Sequence, residues 1–190
     1  MTKKGKIFII SAPSGCGKTT LGRQLLRSGA GLTESVSMTT RPRRGAEREG
    51  GDYYFVTKKR FQEGIRRGRF LEWTRTYGWY YGTPKAFVNA LLKKGKGVLL
   101  NIDVKGAMNV KRRYPGSVLI FIAPPSLKAL KQRLIERNLD DKKEIKKRLT
   151  AARNEMSYLS RYDYCVVNDR IEDAAEKLKA IVIANTCKVR

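Results

Sequence analysis

The chain of 190 residues carries 41 Lys and Arg against 17 Asp and Glu, a formal net charge of +24, and it has no histidine. This length suits a core domain with small insertions, and no stretch approaches the ~20 consecutive apolar residues of a membrane-spanning helix. The lack of histidine removes the commonest general base and metal ligand, so the chemistry must rest on positioning, cations and carboxylates.

The excess of basic residues predicts a surface that attracts polyanions such as nucleotides or nucleic acids. These residues are spread along the chain rather than gathered in a tail, so the charge can equally serve solubility alone. We therefore expect nucleic-acid binding only as a side activity, and no membrane partner. The apolar run Ile7 to Ile10 is too short for a signal peptide and predicts a cytoplasmic protein. Three widely spaced cysteines argue against a disulfide framework or a zinc site.

Strand and helix signals alternate along the chain, which predicts an α/β fold with a parallel sheet. Short apolar runs predict buried core strands at residues 6–11, 98–103 and 117–122, and another strand is predicted at 164–167. Helical spacing of apolar residues predicts helices at residues 20–27, 87–94, 126–137, from about 141 onward, and 172–184. Ser126 is a suitable N-cap. Residues 37–87 combine short strand-like pieces with a helical piece, which predicts a small α+β insertion.

The strongest local motif lies between the first predicted strand and the first predicted helix, where residues 14–19 read SGCGKT. A phosphate-binding loop needs glycines so that backbone N–H groups can surround phosphate oxygens, a lysine to reach the β- and γ-phosphates, and a hydroxyl for Mg²⁺. The helix that follows adds its partial positive charge. Ala12 stands where the usual pattern has glycine, which predicts a negative φ there. The loop alone indicates only a nucleoside triphosphate ligand.

Further motifs narrow the function. Residues 35–44 read SVSMTTRPRR, and they are followed by Glu47, Gly50, DYYFV at 52–56, FLEW at 70–73 and YYGT at 80–83. Together with the phosphate loop, these motifs closely resemble the guanylate kinase family. The resemblance extends over nearly the whole chain and continues through residues 101–106, 123–126, 133–137, 147–149 and 166–169.

The resemblance implies a three-layer α/β P-loop fold with a five-stranded parallel core sheet, a small α+β insertion that binds the monophosphate, and a helical lid. The implied core is residues 1–36, 88–125 and 157–190, the insertion is 37–87 and the lid is 126–156. The implied reaction is direct in-line transfer of the γ-phosphoryl group of ATP to GMP, and to dGMP, with Mg²⁺ as cofactor. The insertion and the lid are expected to close over the bound nucleotides, because water must be excluded.

The resemblance also implies roles for individual residues. The implied ATP-binding residues are Ser14, Gly15, Cys16, Gly17, Lys18, Thr19, Thr20, Arg137 and Asn168, and Asn168 matches the residue that contacts adenine in the family. The implied GMP-binding residues are Ser37, Arg41, Arg44, Tyr53, Glu72, Tyr81, Thr83 and Asp103. The implied catalytic residues are Lys18, Arg41, Arg137 and Arg148, with Arg133 as a weaker candidate. Thr19 is the implied metal ligand, with Asn101 as a weak one.

The chemistry of GMP fits these residue types. Arginines can fork onto phosphate oxygens, although the run at 41–44 could also be a solvated basic turn. The guanine edge offers N1–H and N2–H₂ as donors, and one carboxylate, at Glu72, can accept from both. Adenine lacks that donor pair, so it would leave a buried carboxylate unsatisfied. The alternative to a catalytic role for Arg137 and Arg148 is that they form salt bridges along an exposed helix face.

The sequence departs from the family pattern at three positions. Asn101 stands where the family usually has aspartate, and the lost charge predicts a weaker Mg²⁺ site. Arg43 replaces a proline between the two phosphate-binding arginines. Asn138 replaces a glycine of the lid, where Asn tolerates a left-handed conformation.

Three other functions remain open at this stage. The first is a scaffold module that holds phosphopeptides in the GMP site, although such domains typically lose the loop lysine and glycines that this chain keeps. The second is nucleic-acid binding, and the third is a kinase for another monophosphate such as IMP. The expected substrates are ATP and GMP, and the expected assembly is a monomer or homodimer.

Overall fold

The computed structural model describes residues 5–76, 78–136 and 142–188. In chain order, the strands are β1 (Ile7–Ser11), β2 (Leu32–Glu34), β3 (Met38–Thr39), β4 (Tyr54–Phe55), β5 (Phe70–Thr76), β6 (Trp79–Pro84), β7 (Gly97–Asn101), β8 (Val118–Ala123) and β9 (Tyr164–Val167). The helices are α1 (Lys18–Arg27), α2 (Lys58–Arg66), α3 (Lys85–Lys93), α4 (Val104–Arg113), α5 (Leu127–Glu136), α6 (Lys142–Met156) and α7 (Ile171–Cys187).

A five-stranded parallel sheet has the order β2-β7-β1-β8-β9. The strands β1 and β8 are buried along their whole length, as expected for the centre of a parallel sheet covered on both faces. They pair in parallel with Ile10 opposite Ile120. This confirms the α/β fold with a five-stranded parallel sheet. Ser126 caps α5 as predicted, since its Oγ accepts a hydrogen bond of 3.0 Å from the Ala129 N–H.

A second sheet of four short strands has the order β4-β3-β6-β5, and β5 and β6 form an antiparallel hairpin. The helix α2 packs against it through Phe61, whose ring stacks on Phe70 with centroids 4.4 Å apart. Gly82 on β6 makes this approach feasible, because a Cβ there would lie 2.8 Å from Phe70 and 3.0 Å from Phe61. Thr57 caps α2 by accepting from the Arg60 N–H at 3.2 Å.

The chain forms two compact units. The first unit, which contains the four-stranded sheet, comprises Met1–Ile7, Leu32–Leu100 and Lys105–Ser117. The second unit, which contains the phosphate loop, comprises Phe8–Gly31, Asn101–Val104 and Val118–Arg190. The division into core, insertion and lid stays a prediction. Across the described helices, none combines the length and the apolar character needed to cross a bilayer.

Candidate active site

The loop after β1 takes the form that a phosphate cradle requires. Gly15 and Gly17 both have positive φ, 94° and 83°, where other L-residues are strained. A Cβ on Gly15 would also lie 2.9 Å from Leu134 Cδ2 of α5. The Leu21 N–H donates to the Gly17 carbonyl at 3.0 Å, so α1 begins directly after the loop. Backbone N–H groups and a helix N-terminus are thereby gathered at residues 14–19.

The side chain of Lys18 is anchored within the same unit, since its Nζ donates to the Ile102 carbonyl at 3.1 Å. Glu155 of α6 lies close enough to Lys18 and to Asp103 for its charge to interact with both. Burial raises the pKa of Glu155 to about 7; the Lys18 charge opposes this shift and the Asp103 charge adds to it. The sequence predicts no role for Glu155, because nothing in the spacing along α6 connects it with the loop.

Arg148 also lies beside the phosphate loop. Its Nη1 is 3.5 Å from Ser14 Oγ, and its Nε is 4.0 Å from Glu144 Oε1 in the preceding turn of α6. A guanidinium at this place can reach an anion held by the loop. Arg137 and Asn138, the other two lid residues of the sequence analysis, lie outside the described residues.

Asn168 follows β9 and lies against the phosphate loop. Its Nδ2 donates to the Cys16 carbonyl at 2.8 Å. Arg133 of α5 donates to the carbonyls of Asn168 and Asp169 at 2.9 and 3.3 Å. Asn168 therefore contacts the backbone of the loop, and the guanidinium of Arg133 is directed at two carbonyls that follow β9.

Two oxygen-bearing side chains are found at the candidate metal positions. Thr19 is exposed on the first turn of α1. Asn101 ends β7, and its amide packs against α1 at Gly22, where a Cβ would lie 2.7 Å from Nδ2 and 3.0 Å from Oδ1. The glycine therefore leaves room for the Asn101 side chain beside the first turns of α1.

In the first unit, Arg41 follows β3 and is only 6 % exposed. Its Nη2 donates to Glu47 Oε1 at 2.7 Å and its Nη1 to the Pro42 carbonyl at 2.7 Å. The other oxygen of Glu47 accepts from the Arg44 N–H at 2.9 Å. One carboxylate thus holds both ends of the RPRR turn. This finding disfavours a freely solvated basic turn.

These contacts shift the titration of the pair. Burial alone would lower the pKa of Arg41, but the hydrogen bond and charge of Glu47, together with Tyr81, raise it. Burial alone would raise the pKa of Glu47, but the hydrogen bonds from Arg41 and from the Arg44 N–H lower it. Both groups are therefore charged at neutral pH.

Two tyrosines adjoin the Arg41 guanidinium. Its Cζ lies 5.4 Å from the centroid of the Tyr53 ring, within cation–π range. The rings of Tyr53 and Tyr81 meet edge to face with centroids 6.0 Å apart. Burial raises the pKa of the Tyr53 phenol, and the Tyr81 charge adds to this shift. The Tyr53 phenol therefore stays protonated as a hydrogen-bond donor, since the ordinary pKa of tyrosine is near 10.

A buried carboxylate lies on the same small sheet. Glu72 on β5 stands opposite Thr83 on β6 and is 4 % exposed. The Thr83 hydroxyl donates to Glu72 Oε1 at 2.6 Å, the short distance typical of a charge-assisted bond. Ser37 is also buried in this unit. Asp103, another of the GMP-binding residues that the resemblance implies, belongs to the other unit.

The family model described as guanylate kinase matches residues 4–185. The chain belongs to the guanylate kinase family. Membership accounts for the coexistence of a phosphate loop in one unit and an Arg41–Glu72 site in the other.

Individual relatives agree with this assignment. The chain is 46 % identical to guanylate kinase of Syntrophomonas wolfei, over 100 % of this chain and 97 % of the relative. It is 41 % identical to guanylate kinase of Thermotoga maritima, over 98 % of this chain and 90 % of the relative. The crystal structure of guanylate kinase from Anaplasma phagocytophilum superposes with a TM-score of 0.85 at 34 % identity, covering 99 % of this chain and 89 % of that one.

Two acidic residues of this guanylate kinase family member were missed or left without a role by the sequence analysis. Glu47 was part of the motif, and its position three residues after Arg44 was the signal that could have identified a partner for the turn. Glu155 had no such signal, because its neighbours Lys18 and Asp103 are far away in the sequence.

Proposed function

We propose that this chain transfers the γ-phosphoryl group of ATP to GMP, giving ADP and GDP. The observation that carries this proposal is the buried Glu72, held by Thr83 on the same small sheet that carries Arg41. A buried acceptor group for a base and a cationic group for a phosphate are what a nucleoside monophosphate requires. The family assignment agrees with this reading.

Glu72 would select guanine. One of its oxygens accepts from Thr83, and a carboxylate has about four lone-pair directions, so acceptor capacity remains for guanine N1–H and N2–H₂. Adenine presents an acceptor at N1 and would place it, without a donor, against the acceptor oxygens of this buried carboxylate. An unsatisfied buried polar group costs about 1–3 kcal/mol and more when charged, which corresponds to a preference of roughly 100-fold.

Arg41, Arg44, Tyr53 and Tyr81 would bind the GMP phosphate. A guanidinium has five N–H donors, and Arg41 uses some of them on Glu47 and Pro42. Those hydrogen bonds fix its plane, while other donors remain for phosphate oxygens. Glu47 therefore acts as a positioning residue for Arg41. Phenol donors from the two tyrosines would complete the phosphate site.

The phosphate loop, Lys18 and Arg148 would bind the triphosphate of ATP. Phosphoryl transfer needs little covalent chemistry from the protein, because the reacting oxygens only have to be aligned and the spreading negative charge neutralised. The proximity of Arg148 to Ser14 supports this role. Arg137 is proposed to bind the triphosphate together with Arg148, and only the sequence motif supports this role.

The donor set also fits a magnesium ion. Mg²⁺ prefers oxygen ligands and commonly takes one or two from the protein, with the rest from phosphates and water. Thr19 offers a hydroxyl and Asn101 a neutral amide oxygen. Within the described part of the chain there is no cluster of three acidic or cysteine side chains that would form an all-protein cage. When bound, the ion would neutralise charge on the phosphates.

We also propose dGMP as an acceptor, since none of the residues assigned to GMP is assigned to its ribose. A cytoplasmic location, a monomeric or homodimeric state and nucleic-acid binding as a side activity stay predictions. A gel shift with duplex DNA or RNA at physiological salt tests the last of these, since binding through phosphates alone weakens steeply with salt.

A coupled ADP-release assay with ATP, Mg²⁺ and each of GMP, AMP, CMP and UMP tests the proposed reaction. We expect turnover with GMP and at most about a hundredth of that kcat/KM with the other three. Equal turnover with AMP would contradict the role of Glu72. No turnover with any acceptor, together with normal ATP binding in a calorimeter, would favour a scaffold module.

A further inference from the structure

Asn168 occupies an unusual position for a residue expected to contact a base. Its side chain is turned onto the phosphate loop, where Nδ2 donates to the Cys16 carbonyl at 2.8 Å, and the residue is only 5 % exposed. The orientation of the amide is chemically determined, because a carbonyl oxygen only accepts and so must face the NH₂ end.

The backbone of Asn168 is held as firmly as its side chain. Its N–H donates to the Ala123 carbonyl at 2.8 Å, at the end of β8. Its carbonyl accepts from Arg133 Nη1 at 2.9 Å. Two hydrogen bonds, one to β8 and one from α5, therefore fix the backbone from which the side-chain amide reaches the loop, so the contact is rigid.

The hydrogen bond to Cys16 determines the direction of a neighbouring N–H. The peptide unit between Cys16 and Gly17 is planar and trans, so its C=O and N–H point in opposite directions. Holding the Cys16 oxygen towards Asn168 therefore turns the Gly17 N–H away from Asn168. Backbone N–H groups of such loops are the donors that surround phosphate oxygens.

This peptide unit needs an external constraint. Gly17 has φ 83°, and glycine adopts positive and negative φ about equally well, so the unit can turn over at little local cost. A larger residue would be more restricted, but a Cβ on Gly17 would lie 2.5 Å from Asn168 Nδ2. The close approach of Asn168 Nδ2 thus requires glycine at position 17, and glycine is the residue that restrains the orientation of this peptide unit least.

We propose that Asn168 is a positioning residue for the triphosphate, acting through the Cys16–Gly17 peptide unit. It keeps the Gly17 N–H directed for phosphate binding, and its effect is therefore independent of the base. This inference rests on the proposed function, since it assigns a role within the ATP site. It differs from the base contact that the sequence resemblance implies for the same residue.

The test compares ATP with inorganic tripolyphosphate, which has the phosphate chain but no base. Calorimetry with Mg²⁺ gives the Kd of ATP and of inorganic tripolyphosphate for wild type and for Asn168→Ala. We expect both Kd values to rise about tenfold, which corresponds to about 1.4 kcal/mol and to the loss of one buried hydrogen bond. In the kinetic assay, KM for ATP should rise while KM for GMP stays unchanged.

Two further variants sharpen the test. Asn168→Asp keeps the volume but loses the NH₂ donor and sets an oxygen against the Cys16 carbonyl, so both Kd values should rise at least as much as for Asn168→Ala. Asn185→Ala is the matched control, since it removes another hydrogen-bonded asparagine amide. Asn185 lies on α7, and its amide donates to Tyr164 Oη at 3.0 Å and to the Ile181 carbonyl at 2.9 Å. It should leave both Kd values unchanged.

Three results would overturn the proposal. A rise in the Kd of ATP with unchanged binding of tripolyphosphate would show a base contact alone. Unchanged binding of both ligands by both Asn168 variants would show no role in the site. Equal losses for ATP and GMP would show a general structural defect. A wild-type chain that binds neither ATP nor tripolyphosphate would contradict the proposed function itself, and this is seen before any variant is made.

Discussion

The substitution Glu72→Gln tests whether the carboxylate oxygens of Glu72 recognise the guanine base. The change keeps the size and shape of the side chain but removes its charge, and the new NH₂ group replaces one acceptor with a donor. The Thr83 hydroxyl now donates to Oε1 at 2.6 Å, and that contact can persist with the amide oxygen. The NH₂ end would then face the guanine donors, where the carboxylate had accepted from them.

The expected loss follows from these contacts. Hydrogen bonds to a charged group contribute about 1.5–3 kcal/mol each, and at least one such bond to guanine is lost while a donor–donor contact takes its place. A total of about 3 kcal/mol corresponds to a fall of roughly 150-fold in kcat/KM for GMP. Turnover with AMP should not fall, because AMP presents no donor pair to the carboxylate.

The assay is steady-state ADP release with GMP and AMP as alternative acceptors. Glu63→Gln is the matched control, since Glu63 is an exposed carboxylate on α2 paired with Arg67 at 2.6 Å. Exposed pairs of this kind contribute little, so its kcat/KM should equal that of wild type. A fall of less than about threefold for Glu72→Gln would refute the assignment of Glu72 to the guanine edge.

Three further predictions concern the charged and metal-binding groups. Glu47→Gln should raise KM for GMP about tenfold with a smaller change in kcat, because Arg41 loses the charge-assisted bond that fixes its plane; an unchanged KM would contradict this. Asn101→Asp should lower the Mg²⁺ concentration for half-maximal rate about tenfold, because it restores a charge near the metal; an equal requirement in both proteins would remove Asn101 from the metal site. Burial raises the pKa of Glu155 from 4.5 in the unfolded chain to about 7 in the folded one, so the ionised carboxylate opposes folding. In urea unfolding, the free energy of unfolding of wild type should therefore fall relative to that of Glu155→Gln as the pH rises from about 4.5 to 7. Above pH 7 the difference between the two proteins should stay constant. A constant difference in unfolding free energy from about pH 4.5 to 7 would refute the raised pKa.

The elements that the sequence predicted well are those whose signal is local. The strand at residues 164–167 is found at those residues, and the buried run predicted at 117–122 is β8 shifted by one residue. The β8 run is continuous and apolar because the centre of a parallel sheet is covered on both faces. The phosphate loop was equally predictable, since its glycines are required by the backbone itself.

Elements without a local signal were missed. The helix α4 was not predicted, because Gly106 and a run of basic residues weaken its apolar stripe. The strands β3 and β6 were not predicted either, since β3 has only two residues and the motif around Tyr81 was interpreted by its chemistry alone. The strand β3 pairs with β6 between residues more than forty positions apart, and β6 also pairs with its hairpin neighbour β5.

The sequence could nominate residues for the proposed site but not predict their contacts. Arg41, the tyrosines and Glu72 were proposed from residue type and order, and their roles stay predictions. The contacts of Glu47 with both ends of its turn and of Glu155 with the Lys18 charge depend on tertiary packing. The position of Asn168 against the Cys16 carbonyl depends on it as well, because β9 and the loop are about 150 residues apart.

The most direct test of the central claim follows the γ-phosphoryl group itself. The protein is incubated with Mg²⁺, GMP and ATP labelled at the γ-phosphate, and the label is located by chromatography. The account predicts that the label appears in the β-position of GDP in step with ADP formation, and that little appears as inorganic phosphate while GMP is present. Label released only as inorganic phosphate, or GDP formed without label, would contradict transfer from ATP to GMP.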